Sequence, residues 1–179
     1  NNVPEWYIES CRRIKYMFPK AHAVAYVMMS YRIAYYKVYH PMEFYSVFFT
    51  TKVSEFDSET IMRGARAILD KIELTEAKGK NATKKEEDEV TVLEVAYEMY
   101  SRGYEFAPVE IGRSHATRFL SVDGKVLLPF VALNGVGENA AKAITAEFEK
   151  KPFLSVDDMR NRAKVNKTAI EALMNHGVL

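Results

Sequence analysis

The sequence is poor in cysteine and in clusters of residues that bind metal ions. Cys11 is its one cysteine in 179 residues, and its four histidines form no group with the spacing of a zinc site. An internal disulfide is therefore excluded, and no metal site is predicted. Both observations suit a reducing cytoplasm.

Long apolar runs are also missing. The longest, residues 21–39, is interrupted by Arg32 and Lys37 and is rich in tyrosine, so we predict a buried or half-buried helix there rather than a membrane span. No secretory leader is recognisable, and the first residue is not methionine, which suggests a piece of a longer protein. We expect a cytoplasmic location and no membrane partner.

Acidic residues are absent from one part of a chain that is otherwise balanced in charge. The formal net charge of +1 argues against a uniformly basic nucleic-acid coat protein. Residues 10–42, however, contain no Asp or Glu, two histidines and six tyrosines, together with Arg12, Arg13, Lys15, Lys20, Arg32 and Lys37. Basic side chains interleaved with aromatic ones suit phosphate neutralisation and base stacking. The alternative is that the tyrosines form a core and the cations line a solvated helix face.

The pattern of apolar residues predicts a mainly helical fold with one small β hairpin. Periodicity and end signals favour helices over residues 4–15, 21–39, 41–51, 57–72 and 90–102, and again beyond residue 130. Gly103 is expected to close the fifth of these helices. Asp123-Gly124, between two short β-prone runs, predicts the hairpin. Residues 75–88 are dense in charge and lack an apolar period, so they are a solvated loop or a helix start, and the best candidate boundary.

Residues 133–144, LNGVGENAAKAI, place two glycines between two helix-forming runs. We predict helices over residues 127–133 and 138–148, with Val136 tucked into their shared core. Glycine opens backbone conformations that other residues avoid, and the first amides of the second helix then face outward without acceptors. Because the helix dipole favours an anion there, a phosphodiester fits, and such a contact reads no base sequence. Lys142, one turn into the helix, can neutralise the adjacent phosphate.

This stretch resembles the helix-hairpin-helix motif of DNA-binding proteins that lack sequence specificity. An apolar residue, Gly-Val-Gly and a helix of small residues recur in that order, although a plain helical hairpin with a glycine turn is the alternative. A second hairpin is suggested over residues 165–179, where Asn166-Lys167-Thr168 replaces the glycine pair and Ile170, Leu173 and Met174 give the helical stripe. The predicted DNA-binding residues are Gly135, Val136, Gly137, Asn139, Lys142, Lys167 and Thr168.

A more specific resemblance covers nearly the whole chain. The run Lys20-Ala21-His22-Ala23-Val24-Ala25-Tyr26 resembles the Lys-x-His-Ala-x-x-Tyr mark in the fingers of C-family replicative polymerases. The preceding run, residues 15–19 (KYMFP), is similar to the Gram-positive PolC branch of DNA polymerase III alpha subunits, as is the order of charged linker, hairpin and helix-hairpin-helix that ends near FLSVDDMRNR. The resemblance implies the end of the fingers over residues 1–74, a charged linker and connecting helix over 75–107, and a β hairpin with a tandem helix-hairpin-helix module over 108–179.

The same resemblance implies functional roles. Phe18, Lys20 and His22 would contact the nascent base pair and the incoming deoxynucleoside triphosphate, although His22 taken alone is typical of a core histidine. The module would hold primer-template duplex DNA. The family keeps the carboxylates that bind two Mg²⁺ ions on a palm domain, and nothing here resembles it, since residues 86–89 form a solvated acidic run. The chain should therefore belong to a DNA-directed DNA polymerase, a nucleotidyltransferase, while lacking catalysis of its own.

Two further partners follow from the family, namely the rest of the polymerase chain and a sliding clamp. The hydrophobic-glutamine tail that engages the clamp is not found before residue 179, so we expect no clamp binding by these residues.

Two rival functions stay open. One is a stand-alone DNA repair or recombination module, which does not explain residues 20–26. The other is a helical protein-interaction domain, for which DNA affinity would be negligible and insensitive to salt.

Overall fold

The computed structural model describes residues 2–14, 16 and 18–179. Lys15 and Met17, which belong to the predicted basic stretch and polymerase motif, lie outside the described residues. The chain divides into two compact units, Asn1–Tyr39 and His40–Leu179. The predicted division into an end of the fingers (1–74), a connecting segment (75–107) and a helix-hairpin-helix module (108–179) stays a prediction. In the described part of the chain, no helix combines the length and the apolar character needed to cross a bilayer.

The N-terminal unit consists of two helices, α1 (Glu5–Arg13) and α2 (Lys20–Tyr39), close to the predicted bounds. Neither helix has a buried residue, and Trp6, Tyr26 and Tyr31 are all mostly exposed. The prediction of a buried or half-buried helix over residues 21–39 is therefore wrong, as is the alternative in which its tyrosines form a core. Apolar and aromatic residues occupy all faces of α2 instead of one stripe, so periodicity does not indicate which face packs against another element.

The C-terminal unit begins with helices α3 (Pro41–Thr51), α4 (Ser58–Ile61) and α5 (Ala65–Ala77). Pro41 occupies the first position of α3, as predicted. Asp57 caps α4, because its Oδ1 accepts a hydrogen bond from the Thr60 N–H at 3.1 Å. The single helix predicted to residue 72 is instead two helices. Gly64, at φ +94°, breaks it, and the second helix continues to Ala77.

Helix α6 (Lys84–Ser101) packs against α5. It starts within the charged segment, where Thr83 and Glu86 form a reciprocal capping box. It ends as predicted at Gly103, which has φ +82° and donates its N–H to the Tyr100 carbonyl, while the Tyr104 N–H bonds the Met99 carbonyl.

A three-stranded sheet follows, with strands β1 (Glu105–Ala107), β2 (Leu120–Val122) and β3 (Lys125–Leu127) in the order β1-β3-β2. The predicted hairpin joins β2 to β3 through Asp123 and Gly124, which both have positive φ, as the favoured two-residue turn requires. Strand β1, parallel to β3, was not predicted. It is three residues long, too short for its alternation to stand out in the sequence.

The helix predicted over residues 127–133 is wrong. Strand β3 runs to Leu127, and only a single 3-10 turn, Phe130–Ala132, follows Pro129. Backbone hydrogen bonds to distant residues keep this segment from forming an α-helix. The Leu128 N–H donates to the Ala107 carbonyl at 3.1 Å, and the N–H groups of Phe130 and Val131 donate to the carbonyls of His115 and Ala116.

Three helices complete the chain, α7 (Glu138–Lys150), α8 (Val156–Ala163) and α9 (Lys167–Asn175). Their apolar faces carry Ile144, Met159 and Leu173, each at most 1% exposed. These residues join the same core as the aromatic cluster under α3, in which Phe49 and Phe56 contact Phe106 and Phe119 at ring-centroid distances of 4.8 to 5.8 Å. The predicted fold class, mainly α with a small β element, is confirmed.

Arg162 ties the end of α7 to α8. Its guanidinium donates to the carbonyls of Glu147 and Lys151 and to the Asp158 carboxylate, and it lies over the Phe153 ring at 4.8 Å. Those two carbonyls belong to the last turn of α7 and the residue after it, and the Glu147 carbonyl also accepts the Lys151 N–H at 3.3 Å. Only the planar fork of an arginine reaches all these acceptors at once.

We expect Arg162→Lys to lower the free energy of unfolding by about 2 kcal/mol, because one ammonium cannot replace several charge-assisted hydrogen bonds. Urea unfolding followed by circular dichroism measures the change. Arg160→Lys, on an exposed neighbour in the same helix, is the matched control and should stay within about 0.5 kcal/mol of the parent chain. Equal effects of the two substitutions would show that the guanidinium does not hold the module together.

Candidate nucleic-acid interface

The turn before α7 is built around Gly135. The Val136 N–H donates to the Leu133 carbonyl at 3.0 Å, and Gly135 has φ +97°, which in this type of turn calls for glycine. A Cβ at Gly135 would also lie 3.3 Å from Cγ2 of Thr168 and 3.5 Å from Cβ of Ala172, both in α9. Gly135 therefore serves packing, and it brings the two predicted DNA-binding segments side by side.

Gly137, the second glycine, has a different environment from the one we expected. Its backbone, at φ −73° and ψ 159°, is one that any residue adopts, so the argument from unusual conformation does not apply to it. A Cβ built there would meet nothing within 4 Å. Glycine at this exposed position leaves open space in front of the first turn of α7.

The first amides of α7 have no side-chain acceptor, because Gly137 is the capping residue. The first helical bond is made only by the Ala141 N–H, to the Gly137 carbonyl at 3.0 Å. The preceding N–H groups, including that of Asn139, point out of the helix start together with its positive dipole end. Such an arrangement can bind an anion.

A second hairpin of the same design connects α8 to α9. Lys164 has φ +50°, Val165 is buried, and Asn166 caps α9 by accepting the Ala169 N–H at 2.8 Å. These three residues repeat the sequence of positive φ, buried valine and cap found at residues 135–137. The positions equivalent to the glycine pair are therefore Lys164 and Asn166, and not the run Asn166-Lys167-Thr168 that we expected. Within that segment Met174 is 55% exposed and does not join the buried stripe.

The two hairpins differ in what their helix starts offer. The Asn166 side chain already satisfies one amide of α9, whereas Gly137 has no side chain to accept from the first amides of α7. The start of α7 is thus the more available anion site. Sequence reasoning missed Lys164, although a buried valine followed by a strong capping residue was a readable signal.

The predicted polar contacts lie on exposed surfaces of these helices. Asn139 and Thr168 are exposed, and the two lysines pair with carboxylates on their own helices, Lys142 with Glu138 at 2.6 Å and Lys167 with Glu171 at 3.5 Å. Exposed pairs of this kind contribute little, so a phosphate can compete for either lysine. Val136 is buried and its N–H is used in the turn, so it shapes the site and presents no group to a ligand.

In the N-terminal unit, the predicted nucleotide-binding residues lie at the start of α2. The Phe18 and His22 rings meet edge to face at 4.7 Å, and His22 contacts Tyr26 at 4.4 Å. Lys20 is the first residue of the helix and is exposed. His22 is exposed too, so it is not a core histidine.

The acidic run 86–89 is the solvated helix start that we expected. Lys78 and then Thr83 lower the pKa of Glu86 to about 2 through hydrogen bonds, and Lys84 pairs with Asp88 at 2.8 Å. Across the described residues, no three or more His, Cys, Asp or Glu side chains are grouped so as to hold a metal ion.

Comparison with known proteins agrees with this geometry. Residues 103–179 match a family model described as a helix-hairpin-helix motif. The chain is 51% identical over 178 residues to the DNA polymerase III PolC-type of Clostridium perfringens, covering 99% of the chain and 12% of that protein. The corresponding proteins of Caldanaerobacter subterraneus and Bacillus subtilis are 51% and 49% identical over all of the chain, which covers 13% and 12% of them. The chain thus spans about one eighth of the length of these relatives, and it is homologous, from end to end, to one segment of the PolC-type DNA polymerase III family.

Proposed function

We propose that this chain is the part of a replicative DNA-directed DNA polymerase that holds the product duplex and contacts the incoming deoxynucleoside triphosphate. The proposed contact with duplex DNA rests on the start of α7, where amides without a side-chain acceptor face open space around Gly137. A phosphodiester oxygen can accept from these amides, and the helix dipole favours its charge.

The proposed grip is on the sugar-phosphate backbone and not on the bases. Backbone amides and the side chains of Asn139, Thr168, Lys142 and Lys167 bind phosphate whatever the base sequence. A replicative enzyme must slide along every sequence, and a contact of this kind permits it. The packing of Gly135 against Thr168 supports a single surface made from both hairpins.

The proposed nucleotide contact is at the start of α2. An ammonium at Lys20 can neutralise a triphosphate, and the exposed rings of Phe18 and His22 can pack against a base. Their mutual contact at 4.7 Å supports a joint role, because it orients both rings before any ligand arrives.

Catalysis itself belongs elsewhere in this proposal. The described residues do not fit a pair of Mg²⁺ ions, since no group of carboxylates converges among them. No step of phosphoryl transfer is therefore assigned to this chain, and alone it should bind DNA without extending a primer. We assign it to the cytoplasm, where bacterial DNA is replicated.

The rest of the polymerase chain is a proposed partner of α2. Most of the large apolar residues of this helix are exposed, among them Val27, Met28, Met29 and Tyr31. Apolar surface of this extent is typical of an interaction site. A stand-alone repair or recombination module would explain residues 103–179 but not the similarity over the first hundred residues.

We expect Gly137→Val to weaken binding of a labelled primer-template duplex at least about tenfold while the protein stays folded. Valine adopts the backbone of position 137 and its Cβ has no neighbour within 4 Å, so we expect the side chain to fit and to cover the first amides of α7. Fluorescence anisotropy at several salt concentrations, with unrelated duplex sequences, measures the affinity. Binding by the parent chain should fall steeply with salt and ignore sequence.

The matched control for this substitution is Ala146→Val, which introduces the same side chain at an exposed position further along α7. Its affinity should stay within about twofold of the parent chain. A folded Gly137→Val protein with unchanged affinity would contradict the assignment of the duplex to α7, and salt-insensitive or negligible binding by the parent chain would favour the protein-interaction alternative.

In the full-length polymerase, we expect His22→Ala to raise the KM for deoxynucleotide roughly tenfold with little change in duplex affinity, because the ring contacts nucleotide only. Steady-state primer extension and duplex titration give the two quantities. Ser30→Ala is the control, because Ser30 is an exposed polar residue about two turns further along α2 and is not among the apolar residues assigned to the polymerase contact. A fall in duplex affinity with an unchanged KM would contradict the proposed role.

A further inference from the structure

The loop between β1 and β2 contains a histidine with an unusual set of neighbours. The Nδ1 atom of His115 accepts the backbone N–H of Thr117 at 3.0 Å and that of Arg118 at 3.1 Å. A backbone amide can only donate, so Nδ1 carries no proton. The loop therefore fixes both the orientation of the ring and its protonation at this nitrogen.

The other ring nitrogen must then carry the proton. Burial, and then the charge of Arg118, lower the pKa of His115, so the ring is neutral near pH 7 with its one proton on Nε2. The guanidinium Nη2 of Arg118 lies 3.1 Å from Nε2. Guanidinium nitrogens also only donate, so two donors face the same space.

Arg118 also differs from the other arginine of this loop. Arg113 is paired with Glu110 at 2.9 Å and with Asp123. Arg118, by contrast, has no carboxylate at ion-pair distance among residues 2–14, 16 and 18–179. Its charge, with the adjacent Nε2–H, is available to an anion from outside the chain.

We propose that the Nε2–H of His115 and the guanidinium of Arg118 together bind a phosphate oxygen, as a further contact to the duplex DNA of the proposed function. One oxygen placed between the two donors accepts from both and relieves their mutual repulsion. The bond to Arg118 is charge-assisted, and the bond to His115 adds direction.

The position of the loop suits the same duplex that α7 holds. The N–H groups of Phe130 and Val131 bond the carbonyls of His115 and Ala116, which fixes this loop beside the segment leading to the turn before α7. Phe130 precedes Gly137 by seven residues, a span of about 25 Å at most. One turn of B-form DNA is about 34 Å long, so a single duplex can reach both sites.

The charged groups around the ring do not close the site. His115 lines a pocket of about 240 Å³ together with Arg113 and Glu149. Arg113 is already occupied by two carboxylates, and Glu149 belongs to α7.

The test measures duplex affinity of the 179-residue chain as a function of salt. We expect Arg118→Gln to weaken binding roughly fivefold to tenfold and to reduce the slope of log K against log salt by about 0.9, the value of one lost phosphate contact. Arg66→Gln removes the same charge from an exposed arginine paired with Asp70 at 3.0 Å, and should change affinity less than about twofold.

His115→Asn separates the two roles of the ring. The carboxamide oxygen can keep accepting the two loop amides, while the distal donor is lost, so the loop stays folded and affinity falls about threefold. In the parent chain, the imidazole ¹⁵N signals of His115 should keep the pattern of a neutral Nε2–H ring and shift when duplex is added.

Failure of this inference is distinguishable from failure of the proposed function. Unchanged affinity and slope in Arg118→Gln, with tight salt-dependent binding by the parent chain, would overturn the His115–Arg118 site and leave the grip of α7 intact. Absence of duplex binding by the parent chain would overturn both. His115 signals that ignore the duplex would also overturn the site.

Discussion

Unsatisfied N–H groups at helix starts are the constraint on which the C-terminal module depends. Every α-helix begins with amides that lack helical acceptors, and each must find a partner in a side chain, water or a ligand. Ser155 and Asn166 supply side-chain acceptors for α8 and α9 through the N–H groups of Asp158 and Ala169. Gly137 supplies none for α7. The module thus has side-chain caps at two of its three helix starts, and the third is available for a partner.

The sequence predicted those parts of the fold that depend on local chemistry. Pro41 at the start of α3, Gly103 at the end of α6 and the Asp123-Gly124 turn all behave as their residue types require. The prediction was wrong where hydrogen bonds to residues far along the chain determine the local structure. Residues 127–133 have helical propensity, but the sheet and hydrogen bonds to the carbonyls of residues 107, 115 and 116 prevent an α-helix there. The prediction that α2 is buried was wrong for a related reason, because the periodicity of a helix does not specify which element covers it.

The location of the candidate site was predicted correctly, but the role of each glycine in it was not. The run Gly135-Val136-Gly137 was located correctly as a turn before a helix. Both glycines were expected to serve backbone freedom, yet only Gly135 has positive φ, and Gly137 stands at the open helix start. Lys164 was missed because lysine seldom adopts positive φ, although the valine and the capping asparagine that follow it marked the turn. The His115–Arg118 pair depends on hydrogen bonds to loop amides, which no spacing rule reports.

The strand order of the small sheet has a consequence for how the chain is made on the ribosome. The middle strand, β3, is the last of the three in the sequence, and β1 is bonded to it and not to β2. As synthesis proceeds from the N-terminus, β1 emerges with no partner until residues 125–127 have followed it. The β2–β3 hairpin closes locally within a few residues, so it should form first and then capture β1. The linkage between the helices before the sheet and helices α7 to α9 after it is therefore completed late, by a segment that leaves the ribosome only just before the turn at Gly135.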